Sequence, residues 1–316
     1  MEMTSRIITI GLAPAWDVSC RGRDLDWGRH IEIDEQIVRP AGKALNVSCA
    51  LAWMGLPSVA AGLWGREDCD EMHRAVVKTA ARIDVRITAV AGRTRRNVTV
   101  VDTGNDREMH LRCRSDLASE QSLRRLRTDL GRLVHEGDVC VFAGAMPAGE
   151  LLEPVIDLVR TCQRAGGRIA VDTYGLALWS IVGAGLAWLI SPNVEELREL
   201  LGSPVADTSE NLAQAGRNLL DGMEMVLVSR GEKGAVIVTK EDAWTGCCAT
   251  PGRVLSTVGC GDYLLAGFLA GLRATSDPAA ALARGLKLAT ARAWGWTETQ
   301  SWSRVEKEIA VAVERV

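Results

Sequence analysis

The stretch Thr257-Val-Gly-Cys-Gly-Asp262, followed by the apolar run YLLAGFLAGL at positions 263–272, decides the fold of this sequence. The apolar run predicts a helix that begins at about Asp262. A glycine-rich turn that leads into a helix presents unpaired backbone N–H groups and the positive end of the helix dipole at one point. Phosphate groups bind at such points. We therefore predict an anion-binding turn here.

Asp262 lies at the mouth of this predicted anion site, where a carboxylate would repel a bound anion. Its presence is explained if it takes a proton from a hydroxyl group that attacks phosphorus while backbone amides hold the transferred group. The alternative is an ordinary helix cap, a position in which aspartate is common. The turn considered alone favours the cap, so the choice depends on the rest of the chain.

On the N-terminal side of this turn, short β-branched runs alternate with longer segments of helical period. The alternation predicts right-handed βαβ units and therefore an α/β fold, with a central, mostly parallel sheet and helices on both faces. Ligands of such sheets bind beyond the carboxyl ends of the strands. The predicted strands are Ile7–Leu12, Asn97–Asp102, Asp138–Ala143, Arg168–Asp172, Trp188–Ser191, Met225–Ser229 and Ala235–Thr239, and the predicted helices include Leu45–Met54, Ser119–Val134, Glu150–Ala165 and Ser209–Leu220.

Two stretches interrupt the alternation, namely residues 13–40 and about 86–115. Both have short alternating segments and no helical pattern, which predicts either a small antiparallel sheet acting as a β lid or a pair of surface hairpins. No linker or internal repeat divides the chain, so we predict a single domain over residues 1–316. From about residue 259 onward the pattern predicts helices, the last of them the amphipathic segment Ser303–Val316.

Composition and charge exclude several classes of function. The formal net charge is −3, which gives no electrostatic basis for binding nucleic acid or an anionic membrane. No apolar run reaches the length of about 18 residues that a membrane span needs, and the start MEMTSRIITIGL lacks the apolar region of a signal peptide. The nine cysteines have no metal-ligand spacing and indicate free thiols in a reducing compartment. We expect a cytoplasmic protein whose partners are small molecules.

The turn at 257–262 and its helix resemble the C-terminal signature of the ribokinase-like carbohydrate kinases, the family of the phosphofructokinase B type sugar kinases. The resemblance implies a ribokinase-like fold with a β lid. It also implies that the amides of Gly259, Cys260 and Gly261 form the anion hole for the γ-phosphoryl group of ATP. Asp262 would then be the catalytic base.

Three segments resemble the sugar-binding motifs of this family, in the family's order. They are Ala13-Pro-Ala-Trp-Asp17, similar to N-P-A-x-D, Ala41-Gly-Lys-Ala-Leu-Asn46, similar to G-G-K-G-x-N, and Thr94-Arg-Arg-Asn97, similar to T-R-x-N. The last motif helps to bind the substrate's existing phosphate in sugar-phosphate kinases of the family. The substrate-binding residues that the resemblance implies are Asp17, Gly42, Lys43, Asn46, Arg95 and Asn97.

Two later segments resemble the nucleotide-side motifs. Ser191-Pro-Asn-Val-Glu-Glu196 is similar to K-P-N-x-x-E, and Ser229-Arg-Gly-Glu-Lys-Gly234 is similar to the S/T-x-G-x-x-G turn. The resemblance implies ATP and Mg²⁺ as cofactors, with Asn193 and Glu196 organising the metal through water. Each motif alone also fits a helix cap, a hairpin turn or a solvated charge. The implied nucleotide-binding residues are Asn193, Glu196, Ser229, Gly231 and Gly234.

Six positions depart from the family pattern. Alanine stands in place of asparagine at Ala13, of glycine at Ala41 and Ala44, and of serine at Ala143 and Ala145, while Ser191 replaces a lysine. A Cβ atom where substrate approaches the backbone narrows a pocket. The catalytic turn is unchanged. We therefore expect intact phosphoryl transfer and an altered sugar pocket.

The expected function is ATP-dependent phosphorylation of a hydroxyl of a sugar or hexose phosphate. The motifs are most similar to the 1-phosphofructokinase and tagatose-6-phosphate kinase branch, so the expected substrates are fructose 1-phosphate, fructose 6-phosphate and tagatose 6-phosphate, in that order. Two alternatives remain open, a kinase for an unphosphorylated sugar or nucleoside and a non-catalytic sugar- or nucleotide-binding protein. A homodimer formed through the β lid is also compatible with the sequence.

Overall fold

The computed structural model describes residues 5–105 and 107–316, so residues 1–4 and residue 106 of the predicted domain and lid lie outside the described residues. The strands are β1 (Ile7–Gly11), β2 (Ala15–Gly22), β3 (Glu35–Ala41), β4 (Ser58–Gly65), β5 (Ile83–Val90), β6 (Arg96–Asp102), β7 (Arg107–Leu111), β8 (Val139–Ala143), β9 (Arg168–Asp172), β10 (Leu189–Ile190), β11 (Met225–Ser229), β12 (Ala235–Thr239), β13 (Ala243–Cys248) and β14 (Val311–Arg315). The helices are α1 (Lys43–Trp53), α2 (Cys69–Thr79), α3 (Glu120–Leu133), α4 (Leu152–Arg164), α5 (Gly175–Gly183), α6 (Val194–Leu201), α7 (Ser209–Arg217), α8 (Cys260–Thr275), α9 (Pro278–Ala293), α10 (Trp296–Thr299) and α11 (Trp302–Glu308).

The larger of two sheets has ten strands in the order β14-β13-β12-β11-β10-β9-β8-β1-β4-β5. The strands from β5 to β11 in this order pair in parallel. The three strands at the other edge, β12, β13 and β14, are antiparallel. The predicted α/β fold with a mostly parallel sheet is therefore confirmed.

Helices cover both faces of this sheet because successive side chains of each buried strand point to opposite sides. Ile8 and Phe142 belong to one apolar cluster, which contains buried residues of α3, α4, α6 and α7. Ile7 and Val141 belong to the other, which contains buried residues of α1, α8 and α9. None of the helices in the described ranges is long and apolar enough to cross a membrane.

The smaller sheet has the strand order β3-β2-β6-β7. Its strands come from the two stretches that interrupt the α/β alternation. The sheet is mixed, because β2 and β6 are parallel while the outer pairs are antiparallel. The prediction of a small antiparallel sheet was therefore wrong for the pair of β2 and β6, and the alternative of two separate hairpins was wrong because one sheet contains strands of both stretches.

Residues 86–90, which the sequence assigned to this small sheet, belong instead to β5 of the larger sheet. β5 pairs in parallel with β4 along its whole length, and Val90 at its end is buried in the core. The error has a simple cause, because an edge strand of the main sheet is half buried and alternates like a hairpin strand.

The predicted helix Ser303–Val316 was confirmed as far as Glu308 and was wrong beyond it. The helix α11 ends at Glu308, and β14 then pairs antiparallel with β13. Val311 and Val313 pack against the core, whereas Ala312 and Glu314 are exposed. This alternation has the period of two that is typical of a strand. The strand β4 was missed because all its residues are buried, so it has no alternation to detect.

Candidate active site

A cleft of about 440 Å³ lies between the two sheets, at the carboxyl ends of several parallel strands. The larger sheet contributes Gly11, Ala143 and Asp172 from the ends of β1, β8 and β9, and the smaller sheet contributes Asp17 and Asn97. The volume lies within the range of small-molecule sites. This edge is also where open α/β sheets bind their ligands.

The turn before α8 enters this cleft. Gly259 is the N-cap of the helix and has φ 80°, a left-handed conformation that favours glycine. The amide of Cys260 donates to the Thr257 carbonyl at 3.3 Å. Within the described ranges, the amides of Gly259, Gly261 and Asp262 have no hydrogen-bond partner. The helix thus begins two residues earlier than predicted, with free donors at its positive end.

Asp262 does not cap α8, because it lies inside the first turn and accepts no hydrogen bond from the helix backbone. Its side chain is 3% exposed, and its Oδ2 accepts a hydrogen bond from Asn46 Nδ2 at 2.7 Å. Burial, and then the charge of Asp172, raise the pKa of Asp262 to about 7, against the effects of Lys43, Asn46 and Arg292. A carboxyl group whose pKa lies near neutral is suited to general-base chemistry.

Lys43 and Asp172 form an ion pair on the floor of the cleft. Lys43 is the first residue of α1, and its Nζ lies 2.7 Å from Oδ1 of the buried Asp172 at the end of β9. Burial acts to lower the pKa of Lys43, but the Asp172 carboxylate outweighs it, so the pKa is raised. Asp172 was not among the predicted site residues, although an acidic residue directly after the buried run Ile169–Val171 was a signal that could have identified it.

Asn193 and Glu196 form a reciprocal cap at the start of α6, where the sequence predicted a metal and nucleotide site. Asn193 Oδ1 accepts from the Glu196 amide and Glu196 Oε2 accepts from the Asn193 amide, each at 2.9 Å. Burial raises the pKa of Glu196, against the effects of the Asn193 amide and Lys43. Both residues line the cleft.

The oxygen donors of this region fit a Mg²⁺ ion held mainly by phosphates and water. Across residues 5–105 and 107–316, no group of three or more His, Cys, Asp or Glu side chains could hold a metal by itself. One carboxylate oxygen of Glu196 remains outside the cap, because only Oε2 accepts the Asn193 amide. Mg²⁺ commonly binds through one or two carboxylates together with substrate phosphates and water.

The predicted nucleotide turn lies at the same edge, after β11. Ser229 lines the cleft, but Gly231 and Gly234 do not. Gly231 has φ 60°, and a Cβ atom on Gly234 would overlap the carbonyl oxygen of Gly246. These two glycines are therefore explained by backbone geometry, and the structure brings only Ser229 of this motif into contact with the cleft.

The small sheet presents a polar row to the cleft. Asn97 Nδ2 donates to Asp17 Oδ1 at 3.0 Å, across the parallel pairing of β2 and β6. Two residues that were not predicted from the sequence, Thr99 and His110, lie beside them and hydrogen-bond each other at 3.1 Å. The period-two pattern that places Thr99 on the same face as Asn97 was the available signal.

Arg95 also lines the cleft, and its side chain binds three backbone carbonyls. Its guanidinium donates to Ala13 at 2.9 Å, Pro14 at 3.2 Å and Cys113 at 2.6 Å. These bonds tie the start of β6 to the segments that lead into β2 and follow β7. A guanidinium group carries more N–H donors than these three bonds use, so donors remain for a ligand.

The alanines that depart from the family pattern fit the backbone without strain. Ala41 and Ala44 line the cleft, are each 4% exposed, and have no positive φ. Gly42 between them has φ 126° and caps α1, so the one position that needs glycine has it. Ala13, Ala143, Ala145 and Ser191 also line the cleft. The substitutions therefore change the lining of the pocket rather than its backbone.

Comparisons with family models, curated proteins and solved structures indicate the same family. Residues 7–293 match the model of the pfkB family carbohydrate kinases. The 1-phosphofructokinase of Rhodobacter capsulatus is 32% identical over 298 residues, which cover 93% of this chain and 90% of that protein. The 1-phosphofructokinase of Haemophilus influenzae is 27% identical over 265 residues, covering 84% and 83%. The crystal structure of phosphofructokinase-2 from Escherichia coli in complex with fructose-6-phosphate superimposes with a TM-score of 0.87 at 22% identity, covering 96% and 98%.

Proposed function

The chain belongs to the pfkB family of carbohydrate kinases and is an ATP-dependent sugar kinase, and from this premise we propose that it phosphorylates a fructose phosphate with Asp262 as the general base. The observation that supports this proposal most strongly is the buried Asp262 carboxylate, with its pKa raised to about 7, beside unpaired amides at the start of α8. A base and an anion hole at one point are what transfer of a phosphoryl group to a hydroxyl requires.

In this mechanism Asp262 accepts the proton of the sugar hydroxyl as that oxygen attacks the γ-phosphorus, and the bond from this phosphorus to the β-phosphate oxygen breaks so that ADP leaves. Asn46 holds the carboxylate through its 2.7 Å hydrogen bond. The free amides of Gly259 and Gly261 bind the transferred group, together with the amide of Cys260 when it leaves the Thr257 carbonyl. Backbone donors that are already in place stabilise the developing charge without reorganisation cost.

The proposed substrate is fructose 1-phosphate, followed by fructose 6-phosphate and tagatose 6-phosphate. The names of the relatives support the first, and the Arg95 guanidinium, which lines the cleft, supports a sugar with an anionic group. ADP release should be measured with these three compounds, fructose and a nucleoside. Turnover of a fructose phosphate well above the others is expected. Preference for the nucleoside or for fructose would overturn the proposed substrate class. Absence of turnover with every compound would favour the alternative of a non-catalytic binding protein.

We further propose that the enzyme uses Mg²⁺, held by Glu196 and Asn193 through water and by the nucleotide phosphates. When bound, the ion neutralises phosphate charge. Changing Glu196→Gln removes the carboxylate charge but keeps a group that can accept the Asn193 amide. We therefore expect a several-fold higher Mg²⁺ concentration at half-maximal rate, measured by titration at saturating substrates. Glu199→Gln on the same helix is the matched control, and an equal shift in both variants would contradict the assignment.

We also propose that two copies of the chain associate through the small sheet. On its face opposite Asp17 and Thr99, the apolar side chains Val38 and Met109 are 40% and 41% exposed. The double change Val38→Asp and Met109→Asp places charges in that face. We expect sedimentation to show a dimer for the wild type and at least tenfold weaker association for the variant. A monomeric wild type would contradict this assembly.

A further inference from the structure

An ion pair joins the small sheet to the main body. Arg39 on β3 lies opposite Asp17 in the antiparallel pairing with β2, so both side chains are on the cleft face of the sheet. Arg39 Nη1 donates a hydrogen bond to Glu298 Oε1 on α10 at 2.9 Å. The two residues are 259 positions apart in the sequence. Glu298 is therefore one point at which the body holds this strand.

The same carboxylate is linked to the catalytic turn. Glu298 Oε1 lies 3.6 Å from Nη1 of Arg292 on α9, and Arg292 Nε donates to the carbonyl of Val258 at 3.2 Å. Val258 directly precedes Gly259, the N-cap of α8. The Arg292 guanidinium also lies over the ring of Tyr263, 5.4 Å from its centre. Two side chains, those of Glu298 and Arg292, thus connect Arg39 on the small sheet with the anion-binding turn.

We propose that Glu298 is a positioning residue that couples the placement of the small sheet to the geometry of the anion-binding turn. This role rests on the proposed function, because it concerns the site where Asp262 acts. When Arg39 contacts Glu298, the sheet is held over the cleft, and Arg292 is held against the Val258 carbonyl. The small sheet then closes over the substrate when the anion-binding turn is correctly placed. This closure excludes water from the reacting phosphate.

The charges agree with this arrangement. The hydrogen bond from Arg39 lowers the pKa of Glu298 against burial, and the charges of Arg39 and Arg292 act in the same direction. Arg292 also lowers the pKa of Asp262. An exposed ion pair alone contributes little, about a two- to fivefold change in an equilibrium. Such a change is nevertheless measurable when it sets the open fraction of a lid, and it should shrink as salt increases.

The experiment uses Glu298→Gln, Arg39→Gln and the double variant. Glu308→Gln is the matched control. The Arg304–Glu308 ion pair has a similar length, 2.8 Å, and its side chains are 49% and 46% exposed, against 55% and 50% for Arg39 and Glu298. Both of its residues belong to α11, so it does not join the small sheet to the body. Backbone hydrogen exchange in β2 and β3 of the ligand-free protein reports the open fraction. We expect about two- to fivefold faster exchange in both single variants, no further increase in the double variant, and no change in the control.

Steady-state kinetics then distinguish positioning of the anion-binding turn from attachment of the small sheet alone. Arg39→Gln should raise KM for the sugar and leave kcat nearly unchanged, whereas Glu298→Gln should also lower kcat, because Arg292 loses its partner. Equal exchange in Glu298→Gln, Glu308→Gln and the wild type would overturn the inference, and so would equal kcat in Glu298→Gln and Arg39→Gln. A wild type without turnover would instead refute the proposed function, while the exchange result would still decide the contact.

Discussion

The variant Asp262→Asn is expected to retain its fold and ATP binding and to lose about 10²–10⁴-fold in kcat. An amide has nearly the same shape as the carboxylate and can still accept the hydrogen bond from Asn46, so the geometry of the cleft should survive. It cannot accept the proton of the attacking hydroxyl. Steady-state kinetics with the best substrate measure the loss, and equilibrium titration with ATP measures binding.

The pH dependence is the control for this variant. The wild-type kcat/KM should rise with pH through about 7, because the base must lose its proton, and the residual activity of the variant should not follow this curve. The pKa in the folded state is raised from 3.8, so the folded protein binds the extra proton between about pH 4 and 7 and loses stability as pH rises through that window. Asp262→Asn should therefore be more stable than the wild type at pH 8 and similar at pH 4. A near-normal kcat, or a destabilised variant at pH 8, would contradict the assignment.

The anion-binding turn could be predicted from sequence because its determinants are local. Two glycines, an aspartate and an apolar run lie within 16 consecutive residues, and the structure places the helix start among them. The ion pair of Lys43 with Asp172 could not be predicted in this way. Its members are 129 positions apart and meet only because α1 and β9 reach the same edge of the sheet.

Two of the errors in the fold share one cause, which is that pairing with a strand from elsewhere in the chain decided the structure of the segment. Val311–Arg315 is a strand because β13 offers a free edge beside it. Ile83–Val90 belongs to the main sheet because β4 lies next to it. Neither neighbour is visible in the local pattern. The same limit hid Glu298, an exposed residue whose two partners come from distant parts of the chain.

The variant Arg95→Ala is expected to lower kcat/KM for a sugar phosphate by about ten- to hundredfold and to leave KM for ATP nearly unchanged. An Arg–phosphate contact is a charge-assisted hydrogen bond, and its loss costs roughly 1.5–3 kcal/mol. The position supports this role, because Arg95 lines the cleft next to the polar row of Asp17 and Asn97. Steady-state kinetics with fructose 1-phosphate and with fructose 6-phosphate measure the effect.

The structure also gives Arg95 a second role, which the experiment must separate from the first. The side chain binds the carbonyls of Ala13, Pro14 and Cys113, so its removal also loosens the base of the small sheet. Loosening would reduce kcat/KM for fructose as much as for its phosphates, whereas a phosphate contact would reduce only the latter. Arg96→Ala is the matched control, because this exposed neighbour makes no side-chain hydrogen bond or ion pair within the described ranges. If the losses with fructose and its phosphates are equal, Arg95 holds the sheet and another group binds the phosphate, and the kinase mechanism still stands because it depends on Asp262.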